Sequence, residues 1–210
     1  MVNRIEELEK EGRLLPIVEE FYSIQGEGAH TGKAAYFLRI GGCDVCCNWC
    51  DVKESWNAKQ HPLLDVDDII LRIFANPSKS VIITGGEPLK YNLDYLCGKL
   101  KDNDIQTYLE TSGSAKLSGV WDWICLSPKK ELPPLKSIYS RADELKVVIE
   151  NIEDIKWAEY NAQFVNKECL LYLQPEWLVR DAINEELINF VLENPKWMIS
   201  VQTHKYLKIP

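Results

Sequence analysis

Runs of β-branched and aromatic residues in this chain end repeatedly at turns built from Gly, Ser or Pro. Residues 80–84 stop at Gly85-Gly86-Glu87-Pro88, 105–110 at Thr111-Ser112-Gly113, 121–126 at Ser127-Pro128-Lys129, and 169–174 at Pro175. Helix-patterned segments separate most of them. Val66, Ile69, Ile70 and Ile73 make one apolar face with Asp65 as its cap, and residues 92–100, 152–161 and 183–192 read as further helices. Residues 17–23, 34–40, 144–149 and 197–202 complete the strands. Strands alternating with helices predict an α/β fold of parallel units, either an open doubly wound sheet or an incomplete barrel. The connection between the strands at Ile105 and Trp121 is short for a helix, and residues 130–141, with Pro133-Pro134, read as a surface loop. In both architectures binding sites gather at the carboxyl ends of the strands, where these turns fall.

Length sets the frame around this pattern. The 210 residues suit a single domain over 17–210, preceded by a helical extension over 1–16. The chain is 46% hydrophobic with no long apolar run, so it can bury a core and is not expected to enter a membrane. Its start is charged and lacks the apolar segment of a signal peptide. The net charge of -8 argues against a protein that grips nucleic-acid backbone.

Four of the seven cysteines crowd into residues 43–50, which suits a reducing compartment, here the cytoplasm, and a metal site. Cys43, Cys47 and Cys50 form a C-x3-C-x2-C run. Three thiolates are one short of a closed zinc shell, whereas an iron–sulfur cluster held by three keeps one iron open to a small molecule. Cys46 is adjacent to Cys47, so their side chains diverge. It reads, with Cys97, Cys125 and Cys169, as a packed bystander. Trp49 can shield a cluster from water. Gly85-Gly86-Glu87-Pro88 is either a tight strand-to-helix turn or a place where backbone approaches a ligand, with Glu87 able to take an amine.

The cysteine run together with Gly-Gly-Glu-Pro resembles the radical S-adenosylmethionine superfamily. Further segments narrow the likeness: Phe21-Tyr22-Ser23-Ile24-Gln25-Gly26-Glu27-Gly28, Phe37-Leu38-Arg39-Ile40-Gly41-Gly42-Cys43, Ser127-Pro128-Lys129, Glu144-Leu145-Lys146, Gln174-Pro175 and Gln202-Thr203-His204-Lys205. With these the chain resembles the 7-carboxy-7-deazaguanine synthase family over residues 17–210.

The resemblance implies an incomplete, modified (β/α)6 barrel with about six parallel strands. It implies a [4Fe-4S] cluster on Cys43, Cys47 and Cys50, and S-adenosylmethionine as a regenerated cofactor. A 5′-deoxyadenosyl radical would take hydrogen from C6 of 6-carboxy-5,6,7,8-tetrahydropterin, whose ring contracts with loss of ammonia on the route to queuosine and tRNA modification. By the same likeness S-adenosylmethionine lies against Trp49, Cys50, Asp51 and Gly86. Ser127, Pro128, Lys129, Gln174, Pro175, Glu176 and Trp177 complete its cradle. Ile24, Gln25, Gly26, Arg39 and Thr84 face the pterin, and the tail carries Pro210 over it. No catalytic side chain is implied beyond the cofactors.

Val52 stands where the family usually has Thr, whose hydroxyl serves a magnesium ion, so weaker magnesium dependence is expected. A homodimer and an electron donor such as a flavodoxin are implied as well. The competing expectations are a glycyl-radical activase and a non-catalytic zinc-binding module.

Overall fold

The computed structural model describes residues 4–210; the first three residues of the expected extension lie outside them. Helix α1 (Arg4–Lys10) ends well before residue 16. Gly12, at φ +71°, takes the left-handed conformation that closes a helix, its N–H bonding Glu9 and that of Arg13 bonding Leu8. Strand β1 then begins at Leu14 and runs to Ile24, so the extension is a helix of two turns followed at once by sheet.

β1 pairs antiparallel with β2 (Ala34–Ile40), because the connection between them is too short for a crossover. β3 (Leu63–Asp65), which the sequence pattern did not reveal, pairs antiparallel with Leu14–Pro16. Helix α2 (Val66–Phe74) follows, with Asp65 accepting from the N–H of Asp67 as the cap expected of it.

From β2 onward every pairing is parallel. β4 (Ser80–Gly85), β5 (Gln106–Thr111), β6 (Trp123–Leu126), β7 (Glu144–Ile149), β8 (Leu170–Pro175) and β9 (Trp197–Ile199) add in sequence order. With β2 that makes seven parallel strands where about six were expected. Helix α3 (Asp94–Lys101) joins β4 to β5, α5 (Asp154–Ala162) joins β7 to β8, and α6 (Arg180–Glu193) joins β8 to β9. No helix joins β5 to β6. The supposed loop between β6 and β7 contains α4 (Lys136–Tyr139), and the chain ends in α7 (Thr203–Leu207), which the sequence pattern left as a tail.

The strand order never reverses after β2, so the sheet has no switch point of the doubly wound kind. It curls with its helices on one face and stays open, an incomplete barrel. One core fills the space under the helices. Leu38, Ile40, Val81, Ile83, Leu109 and Leu145 pack there against Ile69, Ile73, Leu96 and Leu187. The alternate residues of the same strands point the other way. A small apolar cluster, Ala35, Phe37 and Ile82 with Phe21 and Tyr108, lies toward the amino ends of that inner face. Arg39, Thr84, Glu110 and Lys146 follow toward the carboxyl ends. Among the described residues no helix is long and apolar enough to cross a membrane.

Candidate functional site

The carboxyl ends of the strands surround a cavity of about 280 Å3. The cysteine loop forms one wall because its backbone is bonded in place at several points. Gly42 N–H donates to Ser55 at 2.6 Å and Cys43 N–H to Trp56 at 3.0 Å, while Cys50 N–H closes a turn onto Cys47 at 3.0 Å. Gly86 and Glu87 donate their N–H groups to Ile40 and Gly42.

The two glycines of the Gly-Gly-Glu-Pro turn are required by this packing. A Cβ on Gly85, whose φ is +140°, would meet Ile40 O at 2.0 Å, and one on Gly86 would meet Gly42 O at 2.3 Å. Their smallness thus serves an approach to the cysteine loop's own backbone, while both still line the cavity.

Glu87 is engaged within the protein and does not line the cavity. Its fully buried carboxylate accepts from Thr111 Oγ1 at 2.6 Å, Ser112 N–H at 2.8 Å, Ser112 Oγ at 2.5 Å and Leu89 N–H at 3.0 Å. It is a brace that ties the turn after β4 to the turn after β5.

Cys43, Cys47 and Cys50 are free thiols that share the cavity wall. Cys47 is the buried one, and burial pushes its thiol up to about 11, against the pull of Lys129. Cys46 turns away, exposed and at φ +53°, so it is a bystander to the wall but not a packed one. Cys97, Cys125 and Cys169 are buried as expected. Three soft sulfur donors on one loop, facing a cavity with space beside them, fit a cluster with one open iron. Among the described residues no three His, Cys, Asp or Glu side chains converge on a single-ion site.

Trp49, Asp51, Ser127, Lys129, Gln174, Glu176 and Trp177 line the cavity beside the thiols; Pro128 and Pro175 are not among its lining residues. Lys129 is tethered by bonds to Ser127 O at 2.6 Å and Ser127 Oγ at 2.7 Å, and lies 5.6 Å from the Trp49 ring centre. Burial holds its ammonium below the usual lysine range. Glu176 spends one oxygen on the N–H groups of Leu178 and Val179, which seats the start of α6. Asp51 is paired with Lys205 at 2.8 Å. That bond, with Trp177 edge-on to Tyr206, lays α7 against the cysteine loop.

Ile24, Gln25, Gly26, Arg39, Thr84 and Pro210 line the same cavity. Arg39 Nε is held by Glu19 at 2.7 Å, a structural pairing that leaves its remaining N–H groups for the cavity. Gly26 O accepts from Thr203 N–H, and a Cβ on Gly26 would strike the His204 ring at 2.2 Å. Ser23 Oγ donates to Pro210 O at 3.3 Å, so the tail reaches the end of β1. Val52 also lines the cavity, and its carbonyl is taken by Ser55 Oγ at 2.7 Å.

Several wall residues were given no role from sequence: Glu27, Glu110, Lys146, Gln202 and His204. Lys146 Nζ donates to Glu27 Oε2 at 2.6 Å and to Glu110 Oε2 at 2.9 Å. Gln202 Nε2 donates to the other oxygen of Glu27 at 2.9 Å, and Gln25 Nε2 to that of Glu110 at 3.2 Å. Burial alone would raise the Glu27 carboxyl, but the charge and hydrogen bond of Lys146 hold it down at about 2. The available signal was a lysine in the middle of Glu144-Leu145-Lys146-Val147-Val148-Ile149, a strand that is otherwise almost wholly apolar or buried.

A cavity with three thiols on one wall, at the carboxyl-end rim of an open parallel barrel, marks an iron–sulfur enzyme. Residues 24–115 match the model of a 4Fe-4S single cluster domain. The 7-carboxy-7-deazaguanine synthase of Flavobacterium psychrophilum is 50% identical over 96% of this chain and 95% of its own. That of Synechocystis is 46% identical over 92% and 93%. The crystal structure of QueE from Escherichia coli superposes with a TM-score of 0.82 at 27% identity, covering 93% of this chain and 97% of that one. The chain belongs to the 7-carboxy-7-deazaguanine synthase family.

Proposed function

We propose that this chain converts 6-carboxy-5,6,7,8-tetrahydropterin to 7-carboxy-7-deazaguanine with release of ammonia, on the route to queuosine. The observation that carries the reading is that three free thiols and a wall of paired amides and charges share one cavity. Cys43, Cys47 and Cys50 would hold the cluster, and Trp49, Asp51, Gly86, Ser127, Lys129, Gln174, Glu176 and Trp177 would seat S-adenosylmethionine beside it. The reduced cluster with S-adenosylmethionine bound supplies a carbon radical able to take hydrogen from C6 of the pterin.

The chain's own residues aim the substrate and keep water out. Arg39, already oriented by Glu19, offers its free N–H groups to the pterin carboxylate, with Thr84 adjacent to it in the sheet. Gln25 and Gly26 face the heterocycle, and Pro210 with α7 covers it. Phe21, Phe37 and Ile82 close the cavity's apolar end, where a ring system packs without losing hydrogen bonds.

Val52 offers magnesium no side-chain oxygen and its carbonyl is engaged, so turnover here depends only weakly on that ion. The enzyme acts as a cytoplasmic homodimer fed by a flavodoxin-type donor.

The test is anaerobic reconstitution with iron and sulfide, then incubation with dithionite, S-adenosylmethionine and the carboxytetrahydropterin. Mass spectrometry should find the deazaguanine, with little loss of rate when a chelator removes magnesium. A brown protein that cleaves S-adenosylmethionine yet leaves the pterin unchanged would refute the substrate.

A further inference from the structure

We infer that Lys146 is a positioning residue for the substrate: one buried ammonium that holds Glu27 and Glu110 in place, so that the two carboxylates form an acceptor template for a donor-rich heterocycle edge. The inference deepens the proposed reaction and rests on it.

The geometry is a closed ring. Lys146 donates to Glu27 Oε2 and Glu110 Oε2; Glu110 Oε1 accepts from Gln25 Nε2, and Gln25 Oε1 accepts from the Glu27 N–H at 3.2 Å. Every member is fixed by its neighbours, and they come from three separate places, the turn after β1, β5 and β7. Lys146 Nζ connects residues 119 and 36 positions away in sequence. Its side chain is 5% exposed, whereas those of Glu27 and Glu110 are 19% and 22% exposed, so the cation lies deeper than the carboxylates it serves. All three line the cavity.

Counting atoms shows what the ring is for. Each of the four carboxylate oxygens accepts from Lys146, Gln202 or Gln25, Cys125 adds a contact to Glu110, and lone-pair capacity remains for a ligand. Lys146 uses two of its three N–H groups. One cation shared by two carboxylates leaves an excess negative charge on this patch, which disfavours an anionic group. It favours an amino-pyrimidinone edge, rich in N–H donors, or its protonated form. Arg39, on β2 and separated from Glu110 by β4, has the reverse preference. Together the two patches set the direction in which a carboxylated bicyclic substrate can enter.

Without the ammonium, the half-buried carboxylates would face each other and desolvation unaided. Burial then raises a carboxyl group, and the protonated form is a poorer acceptor. The charged and titratable groups facing the ring include Cys125 on β6, Glu144 on β7, Lys129 after β6 and His204 on α7. Burial tends to lower Lys146 itself, but Cys125, Glu110, Glu27 and Glu144 raise it well above the ordinary lysine range, so it stays charged at any assay pH.

The experiment compares reconstituted holoenzymes of the natural chain, Lys146→Met, Lys146→Arg and Glu110→Gln. Iron content and S-adenosylmethionine affinity are measured alongside. Lys146→Met should raise the KM for the carboxytetrahydropterin at least tenfold, more than it lowers kcat. It should also move the acid limb of kcat/KM to higher pH, and Lys146→Arg should restore part of the loss. An unchanged KM and an unmoved acid limb in Lys146→Met overturn the inference while leaving the proposed reaction standing. If Lys146→Met does not fold, Glu110→Gln decides: a raised KM supports the template and an unchanged KM removes it. A natural chain that cleaves S-adenosylmethionine but makes no deazaguanine removes both readings together.

Discussion

Alternate residues of the same parallel strands make two unlike surfaces. The outer face, under the helices, is aliphatic along its whole length: Leu38, Ile40, Val81, Ile83, Leu109, Leu145 and Val147 are all buried there. The inner face changes character along each strand. It is apolar near the amino ends, at Phe37, Ile82 and Tyr108, and charged or polar near the carboxyl ends, at Arg39, Thr84, Glu110, Lys146 and Gln174. One face holds the strands to the helices, while the other is free to be a site. Because side chains alternate with period two, neither role constrains the other residue by residue. The division predicts that substitutions on the two faces fail in different ways.

The largest expected effect lies on the site side. Cys47→Ser should abolish turnover and the iron signal, with the far-UV spectrum retained, since the loop's backbone bonds do not involve its sulfur. Loss of helical and sheet signal in that variant would break the separation of roles. On the outer face, Leu109→Ala should cost about 2–5 kcal/mol by leaving a cavity in a closed core. Urea unfolding measures it, and the KM should hardly move. A KM shift comparable to that of an inner-face variant would show the faces to be coupled.

Smaller is the stability that the inner face contributes. Glu27 is held at about 2 against 4.5, so its ionisation favours the folded state above about pH 4.5. That contribution is lost as pH falls from there toward 2. It amounts to about 3 kcal/mol at neutral pH. The gap in urea midpoint between the natural chain and Glu27→Gln should therefore narrow on acidification; a constant gap would remove the charge as its cause. Smallest is Cys46→Ala, at an exposed position outside the cavity wall. It should change stability within about 0.5 kcal/mol and leave the cluster intact by visible absorption. Loss of iron would make Cys46 a ligand after all.

Much of this was legible without coordinates. β2, α2 and β7 occupy the residues read from pattern alone, because hydrophobic period and capping are properties of neighbours in sequence. The cysteine spacing picked out, for the same reason, the loop whose three thiols line the cavity. β3 escaped notice because three residues, two of them leucines, carry no period. The tail's helix α7 is seated by Gly26, Asp51 and Trp177, none of them local to it.

The sequence by itself determined the α/β class, its turns at the strand ends and the run of three cysteines. The tertiary structure alone decided what those turns contact. It placed Glu87 as a brace between two turns and gave Arg39 to Glu19. It also spread its strands so that the sheet stays open, and brought Lys146 between two carboxylates. Charges act through space, and a buried one is stable only where the fold delivers its partner. No period or spacing along the chain records that partner.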